Sequence, residues 1–237
     1  MKKSFIYLTA AIAVFAMASC GGNASDASSA DSTANASAGA VSYTVSPESV
    51  IGWRGSKIVG VGEHKGTIAI SEGSVSIENG QLTAGSFTID MNNIVCTDSI
   101  PDEYKQKLIG HFQADDFFNV ATFPTAKFEI TSVEEKAEGT NTHIISGNLT
   151  LRDSVKNISI PAAVSIDGTT FTAKGSVNIN RLDWGVNYDK ANMSLGEKAK
   201  AALKNGVVSE TIEITLDIKA TAAAEAPAAE GEDNSGM

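Results

Sequence analysis

VSETIEITLDI, residues 208–218, alternates apolar and polar side chains along its length. The apolar series is Val208, Ile212, Ile214, Leu216 and Ile218, and it opposes Thr211, Glu213, Thr215 and Asp217. Successive side chains of a β-strand point to opposite faces, so this period of two predicts a strand with one dry face and one wet face. The fold must bury the dry face.

The same alternation recurs along the chain. It is found in FTIDM (87–91), AKFEI (126–130), NISIPAAVSI (157–166) and FTAKGSVNI (171–179). The dipeptides Asn79-Gly80 and Asp167-Gly168 separate stretches of this kind, and both favour two-residue hairpin turns. Consecutive hairpins of one-sided strands indicate an antiparallel meander.

Two segments interrupt the alternation with helical signals. Residues 101–112 begin with proline and two acids, which suit a helix N-terminus, and residues 194–206 combine a capping box with a final glycine. About eight strands that are dry on one face must either close into a barrel or stack as two sheets. We predict an all-β antiparallel barrel with two short helices. A two-sheet sandwich is the alternative that periodicity leaves open.

The N-terminus carries an export signal. Two lysines precede an uncharged apolar run, so residues 1–19 are predicted to be a secretory signal peptide. Cys20 follows directly after Ala18 and Ser19, which resembles the cleavage site of a bacterial lipoprotein, where the cysteine becomes acylated. The alternative is an ordinary signal peptide with a free Cys20. An acylated Cys20 would hold the protein on a membrane, at the periplasmic face of the cell envelope or at the cell surface.

Composition sets the domain boundaries. Residues 21–40 contain nothing apolar beyond alanine, so the segment from Cys20 to residue 41 is predicted to be a flexible tether. Residues 220–237 are similarly poor in apolar side chains and acidic, which predicts a disordered tail. One folded domain remains, over residues 42–219.

Charge and motif content exclude several functions. The net charge of −10 is unfavourable for nucleic-acid binding. The three histidines, His64, His111 and His143, have no metal-ligand spacing, so no metal site is expected. Cys96 lies in an apolar stretch, which is typical of an inert buried thiol. No nucleophile elbow or phosphate-binding loop is found, and we expect no enzyme activity and no cofactor.

The stretch GHFQADDFFNVATFPTAKFEI (110–130) concentrates phenylalanines beside two adjacent aspartates. These rings cannot all lie on one strand or helix face, so we expect Phe112, Phe117 and Phe118 to anchor a lid on the barrel end, with the aspartates facing water. A barrel of about eight strands either is filled by side chains or holds one small ligand. Small inward residues favour a hollow interior, and a solid core is the alternative that remains open.

Several short motifs occur in the order found in one known family. They are YTVSPESVIGW (43–53), HKGTI (64–68), HFQADDFF (111–118), FPTAKF (123–128), GNLTLRDSVKNISIP (147–161) and INRLDWGVNY (179–188). Together they resemble the YceI-like family of exported proteins. The resemblance implies an eight-stranded lipocalin-like barrel, in which an apolar tunnel binds a long polyisoprenoid or similar amphiphile without covalent chemistry. Ser46 and Ser49 stand where the family usually has an aspartate and often a histidine, respectively, which leaves open any polar contact at that end.

We therefore predict non-catalytic binding of an isoprenoid lipid or quinone inside the barrel. The candidate ligand-binding residues are Trp53, Phe87, Ile89, Phe112, Phe117, Phe118, Phe128, Phe171, Arg181, Trp184 and Tyr188. Arg181 could contact a phosphate or quinone head group, or it could fix the turn before Trp184 through Asp183 or backbone hydrogen bonds. The alternative function is a structural or protein-interaction module of the envelope with a filled core.

Overall fold

The computed structural model describes residues 27–59, 62–187 and 207–222. Its strands are β1 (Ser28–Ser29), β2 (Val41–Val45), β3 (Val50–Val59), β4 (Glu63–Glu78), β5 (Gln81–Cys96), β6 (Thr125–Glu138), β7 (Asn141–Leu151), β8 (Ser154–Asp167), β9 (Thr170–Asn180) and β10 (Val207–Ala222). An α-helix, α1 (Asp102–Gln113), lies between β5 and β6, and a 3₁₀ helix, η1 (Arg181–Trp184), follows β9.

The strands close into a barrel. Antiparallel neighbours run in the order β8, β7, β6, β5 and β4. β4 then pairs with both β2 and β3. β10 pairs with β2 and β3 on one side and with β9 on the other. The circuit closes because β9 also pairs with β8. β2 and β3 both lie between β4 and β10, one after the other, and together they take the place of one strand. The barrel therefore has eight strand positions. The predicted all-β antiparallel barrel is confirmed, and the sandwich alternative is excluded.

The strand directions define two ends. One end carries α1, η1 and the connection between β3 and β4, and we call it the upper end. The other end carries the hairpin turns at Asn79-Gly80 and Gly168, where Asn79, Gly80 and Gly168 have positive φ angles of 53°, 79° and 56°. These are the predicted turn dipeptides, and their left-handed backbone is what such turns require. Short hairpins therefore join the strands at the lower end.

Apolar side chains fill two clusters along the barrel. The upper cluster includes Ile94, Phe117, Ile179 and Trp184. The lower cluster includes Tyr43, Val75, Ile130, Phe171 and Ile218. The two clusters correspond to the dry faces that the sequence alternation predicts. Among the helices described, none is long and apolar enough to cross a membrane.

A flexible tether was predicted over residues 20–41, but the structure shows an ordered segment from residue 27 onward. Residues 27–34, which we call the strap, lie along the outside of the barrel. β1 pairs with the edge of β8, with Ser28 opposite Asn157. Further on, the Ala34 N–H donates to the Ile130 carbonyl at 2.9 Å, beside a register shift between Ile130 and Ser132 in β6. Ala27 packs against the upper cluster, but the rest of the docking described here depends on hydrogen bonds of the strap backbone. Composition does not reveal such bonds.

The structure also moves the C-terminal boundary. The tail was predicted to begin at residue 220, but β10 continues to Ala222, and Ala220 is fully buried opposite Phe171. Small side chains at the end of this strand conceal its periodicity. The predicted helix over 194–206, the signal peptide, Cys20 and residues 223–237 lie outside the described residues.

Candidate functional site

The barrel encloses an apolar cavity of about 310 Å³. It extends from Lys57, His64 and His111 at the upper end to Phe171 and Ile218 near the lower end. This volume is at the lower limit of ordinary ligand pockets, about 300–1,000 Å³. The interior is therefore hollow and narrow, and the structure does not support the alternative of a solid core.

The upper end of the cavity is covered by the predicted aromatic lid. α1 ends at Gln113, and Phe112 in its last turn contacts Trp53 edge-on, with ring centroids 5.1 Å apart. Phe117 and Phe118 follow in the next turn and pack in a T-shaped pair at 4.7 Å. All four rings line the cavity. Edge-to-face packing of this kind fixes the lid beyond the effect of buried area alone.

The small residues of the wall have two different roles. Ala126 and Ala173 line the cavity. By contrast, a Cβ placed on Gly147 would lie 2.3 Å from the ring of Phe128, and one placed on Gly66 would lie 2.7 Å from the ring of Trp53. These two glycines accommodate rings that lean across the wall. Part of the space that the small residues leave is thus filled by aromatic side chains.

Most of the candidate site residues line the cavity. They are Trp53, Phe87, Ile89, Phe112, Phe117, Phe118, Phe128, Phe171 and Arg181. Trp184 does not: it is fully buried in the upper cluster, and its indole Nε1 donates to the Leu149 carbonyl at 2.9 Å. The prediction for Trp184 is corrected to a structural role, because the 3₁₀ turn directs its ring into the wall. Tyr188 lies outside the described residues.

Arg181 lines the upper cavity but is engaged by the backbone. Arg181 is only 6% exposed. Its Nε donates to the Ser209 carbonyl at 3.0 Å, and its Nη1 donates to the Val186 carbonyl. The Arg181 guanidinium therefore joins η1 to β10. This geometry favours the structural reading of Arg181 over the head-group reading.

Sequence reasoning missed the aliphatic part of the lining. Cavity-lining residues outside the predicted set include Met91, Leu151, Ile158, Ile160, Val177 and Ile214. Ile158, Ile160, Val177 and Ile214 belong to dry faces that the alternation identifies, so the signal was present. The prediction gave weight to aromatic rings, whereas the tunnel wall is mainly aliphatic.

A polar pair lies at the mouth, the part of the upper end lined by Lys57, His64 and His111. His64 Nδ1 is 2.7 Å from Asp98 Oδ2. Cys96, also nearby, has its Sγ 3.5 Å from the same oxygen, and burial raises the pKa of the Cys96 thiol. A protonated thiol is a poor nucleophile, which agrees with an inert Cys96. Within the described ranges no cluster of three His, Cys, Asp or Glu side chains could hold a metal ion.

The fold and the site define a class of protein, an antiparallel β-barrel that surrounds an apolar cavity with an aromatic lid. The YceI-like domain model matches residues 43–220. The chain therefore belongs to the YceI-like family.

Curated relatives match part of the chain. The UPF0312 protein of Shewanella denitrificans is 29% identical over 124 residues, which cover 50% of this chain and 61% of that protein. A UPF0312 protein of Yersinia enterocolitica is 29% identical over 121 residues, which cover 44% of this chain and 60% of that protein. The matched region thus spans about three fifths of the length of each relative.

Solved structures are similar to the chain at low sequence identity. BcnA of Burkholderia cenocepacia is 20% identical with a TM-score of 0.51, covering 73% of this chain and 97% of its own. A polyisoprenoid-binding domain from Saccharophagus degradans is 16% identical with a TM-score of 0.49, covering 77% and 99%. At these identities, the comparison with BcnA supports the barrel fold alone.

Proposed function

We propose that the protein binds the hydrocarbon chain of an isoprenoid lipid or quinone inside the barrel, without catalysis. The observation that carries this proposal is the apolar cavity, which reaches from the lid to the lower cluster. Burial of hydrocarbon in such a space is favourable by about 25 cal/mol per Å² of apolar surface. Membership of the YceI-like family agrees with it, since resemblance to that family implies an isoprenoid ligand.

The cavity volume limits how much of a ligand is enclosed. A water-sized group occupies about 30 Å³, so a cavity of about 310 Å³ holds on the order of ten methylene-sized groups. A longer chain would have to extend beyond the mouth or widen the barrel. The proposed ligand is thus an amphiphile whose inner segment of roughly ten carbons is sheltered from water.

The proposed location is the cell envelope. The apolar run of residues 5–19 and the following Cys20 motivate export and acylation. A membrane-attached carrier of this kind would shield a lipid chain while its barrel remains in water. Mass analysis of the N-terminal peptide from cell membranes tests this part, and an unmodified Cys20 would contradict it.

Extraction of the purified protein tests ligand binding. Native mass spectrometry of the protein before and after delipidation should show the loss of a prenyl-type mass, and added prenyl alcohol should restore it. Ala173→Leu introduces a larger side chain into the cavity and should weaken binding at least tenfold. Ala163 lies on the outer face of β8 opposite Lys174, so Ala163→Leu is the matched control and should bind normally. A wild-type protein that never takes up a prenyl chain would overturn the proposal.

A further inference from the structure

The inner face of β4 changes from apolar to polar at the mouth. Ile68 and Ile70 line the cavity, and Gly66 and His64 continue the same face towards the upper end, opposite Trp53 and Gly55 of β3. The His64 side chain is 39% exposed and also lines the cavity. A chain that leaves the cavity past Ile68 therefore meets an imidazole before it reaches water.

Asp98 fixes the orientation of this imidazole. Its Oδ2 lies 2.7 Å from His64 Nδ1, its Oδ1 accepts from the Lys65 N–H at 3.2 Å, and its side chain is only 13% exposed. Burial of Asp98 opposes ionisation, but hydrogen bonds from His64 and the Lys65 backbone outweigh burial and hold the pKa of its carboxyl below the usual value. An ionised carboxylate only accepts, so His64 Nδ1 carries a proton. Nε2 is then the ring nitrogen that can interact with a ligand.

Other polar side chains among the described residues lie at the same mouth. His111 lines the same mouth and shares a second hollow with His64, formed with Tyr104 and Leu108 of α1. Lys57 also belongs to the cavity lining. The neighbouring carboxylate of Glu63 is bound by Arg54 at 2.7 Å, as Asp98 is bound by His64. The mouth thus offers nitrogen groups to an incoming ligand.

The geometry points to a head-group subsite in which His64 Nε2, positioned by Asp98, hydrogen-bonds an oxygen atom at the end of the lipid chain. This inference rests on the proposed function. A neutral ring accepts from a hydroxyl group, and a protonated ring donates to a phosphate or quinone oxygen. The ligand class that fits is a prenyl chain with an oxygen-bearing head, in preference to a pure hydrocarbon.

Binding of three probes to the purified full chain tests the subsite. Farnesol, farnesyl phosphate and farnesene share one prenyl chain, but farnesene has no oxygen. His64→Phe should weaken farnesol and farnesyl phosphate by roughly three- to tenfold or more, the effect of one hydrogen bond, and should leave farnesene within about twofold. A larger loss for the phosphate would identify an anionic head. His64→Leu repeats the test if the phenylalanine variant does not fold.

His143 provides the matched control, since it lies near the start of β7 at the lower end and is not part of the cavity lining. His143→Phe should leave the binding of all three probes unchanged. If His64→Phe weakens all three equally, or none, the head-group subsite is wrong while lipid binding stands. If the wild type binds none of them, the proposed function itself fails.

Asp98 acts here as a positioning residue, and a spectroscopic measurement separates this role from a merely structural one. The ¹⁵N shifts of His64 should show a protonated Nδ1 in the wild type. Asp98→Asn should change the tautomer distribution and reduce the difference between farnesol and farnesene in parallel. An unchanged His64 spectrum in a folded Asp98→Asn variant would contradict the role of Asp98.

Discussion

Asn148 holds the backbone of Asp31 with both atoms of its side-chain amide. The Asp31 N–H donates to Asn148 Oδ1 at 3.0 Å, and Asn148 Nδ2 donates to the Asp31 carbonyl at 2.6 Å. Asn148 lies on the outer face of β7, beside Asn157 of β8, yet it is only 5% exposed because the strap covers it. This side chain therefore binds the N–H and the carbonyl of a single strap residue, and it is not left to water.

Removal of this amide should release the strap. Asn148→Ala loses both hydrogen bonds to Asp31 and should lower the free energy of unfolding by about 1–3 kcal/mol. Amide exchange over residues 27–34 should accelerate more than exchange in the barrel strands. Ser146→Ala, which removes a hydroxyl on the same face of β7 that is hydrogen-bonded to Ser159, is the control. Unchanged protection of the strap in the Asn148 variant would show that the amide does not hold it.

Substitution of the two tryptophans should have different effects: Trp184→Phe should lower stability, and Trp53→Phe should lower lipid affinity. Trp184→Phe removes the hydrogen bond to the Leu149 carbonyl and leaves a small void, so stability should fall by about 1–3 kcal/mol. Lipid affinity should change by less than about twofold, because Trp184 does not line the cavity. Trp53→Phe alters the lining and should lower affinity several-fold. Urea unfolding and prenol titration of both variants make the comparison, and a large loss of affinity in Trp184→Phe would return that residue to the binding site.

Stability should depend on the ionisation of Asp98. Its pKa is lowered in the folded protein, whereas an unfolded aspartate titrates near 3.9. The stabilisation is therefore fully present above about pH 4 and is lost as the pH falls through the lower folded value. Asp98→Asn should cost about 1–3 kcal/mol at pH 7, and the difference from wild type should shrink in acid. Urea unfolding between pH 7 and 3 measures it. Asp115→Asn, at an exposed carboxylate after α1, is the control, and a pH-independent difference for Asp98→Asn would contradict this account.

Affinity should rise with chain length and then level off. Each additional buried methylene contributes about 0.8 kcal/mol, or roughly a fourfold gain in affinity. A cavity of about 310 Å³ fills after on the order of ten such groups. A series of primary alcohols from short to long should therefore show a steep rise followed by a plateau. Affinity that is independent of length, or that keeps rising steeply far beyond this point, would contradict an enclosed cavity of this volume.

The barrel could be predicted because its signals are local. The alternation in residues 208–218 and the hairpin dipeptides specify strands, faces and turns within a few residues of sequence. The site was only partly predictable, because contacts such as His64 with Asp98 join residues 34 positions apart. Trp184 shows the same limit, since nothing in its neighbourhood distinguishes a ring that faces the cavity from one that enters the wall. The strap was missed because a segment held by its backbone leaves no apolar pattern.

Pairing of β1 with β8 covers part of a strand edge that would otherwise be exposed. β9 accompanies β8 only over Ala162–Asp167, and β1 covers part of the remaining edge, at Lys156 and Asn157. Exposed strand edges recruit further strands from other molecules. A shortened protein that starts at residue 42 would therefore expose this edge of β8. Dimers or aggregates of such a protein would result from the missing segment and not from the native assembly.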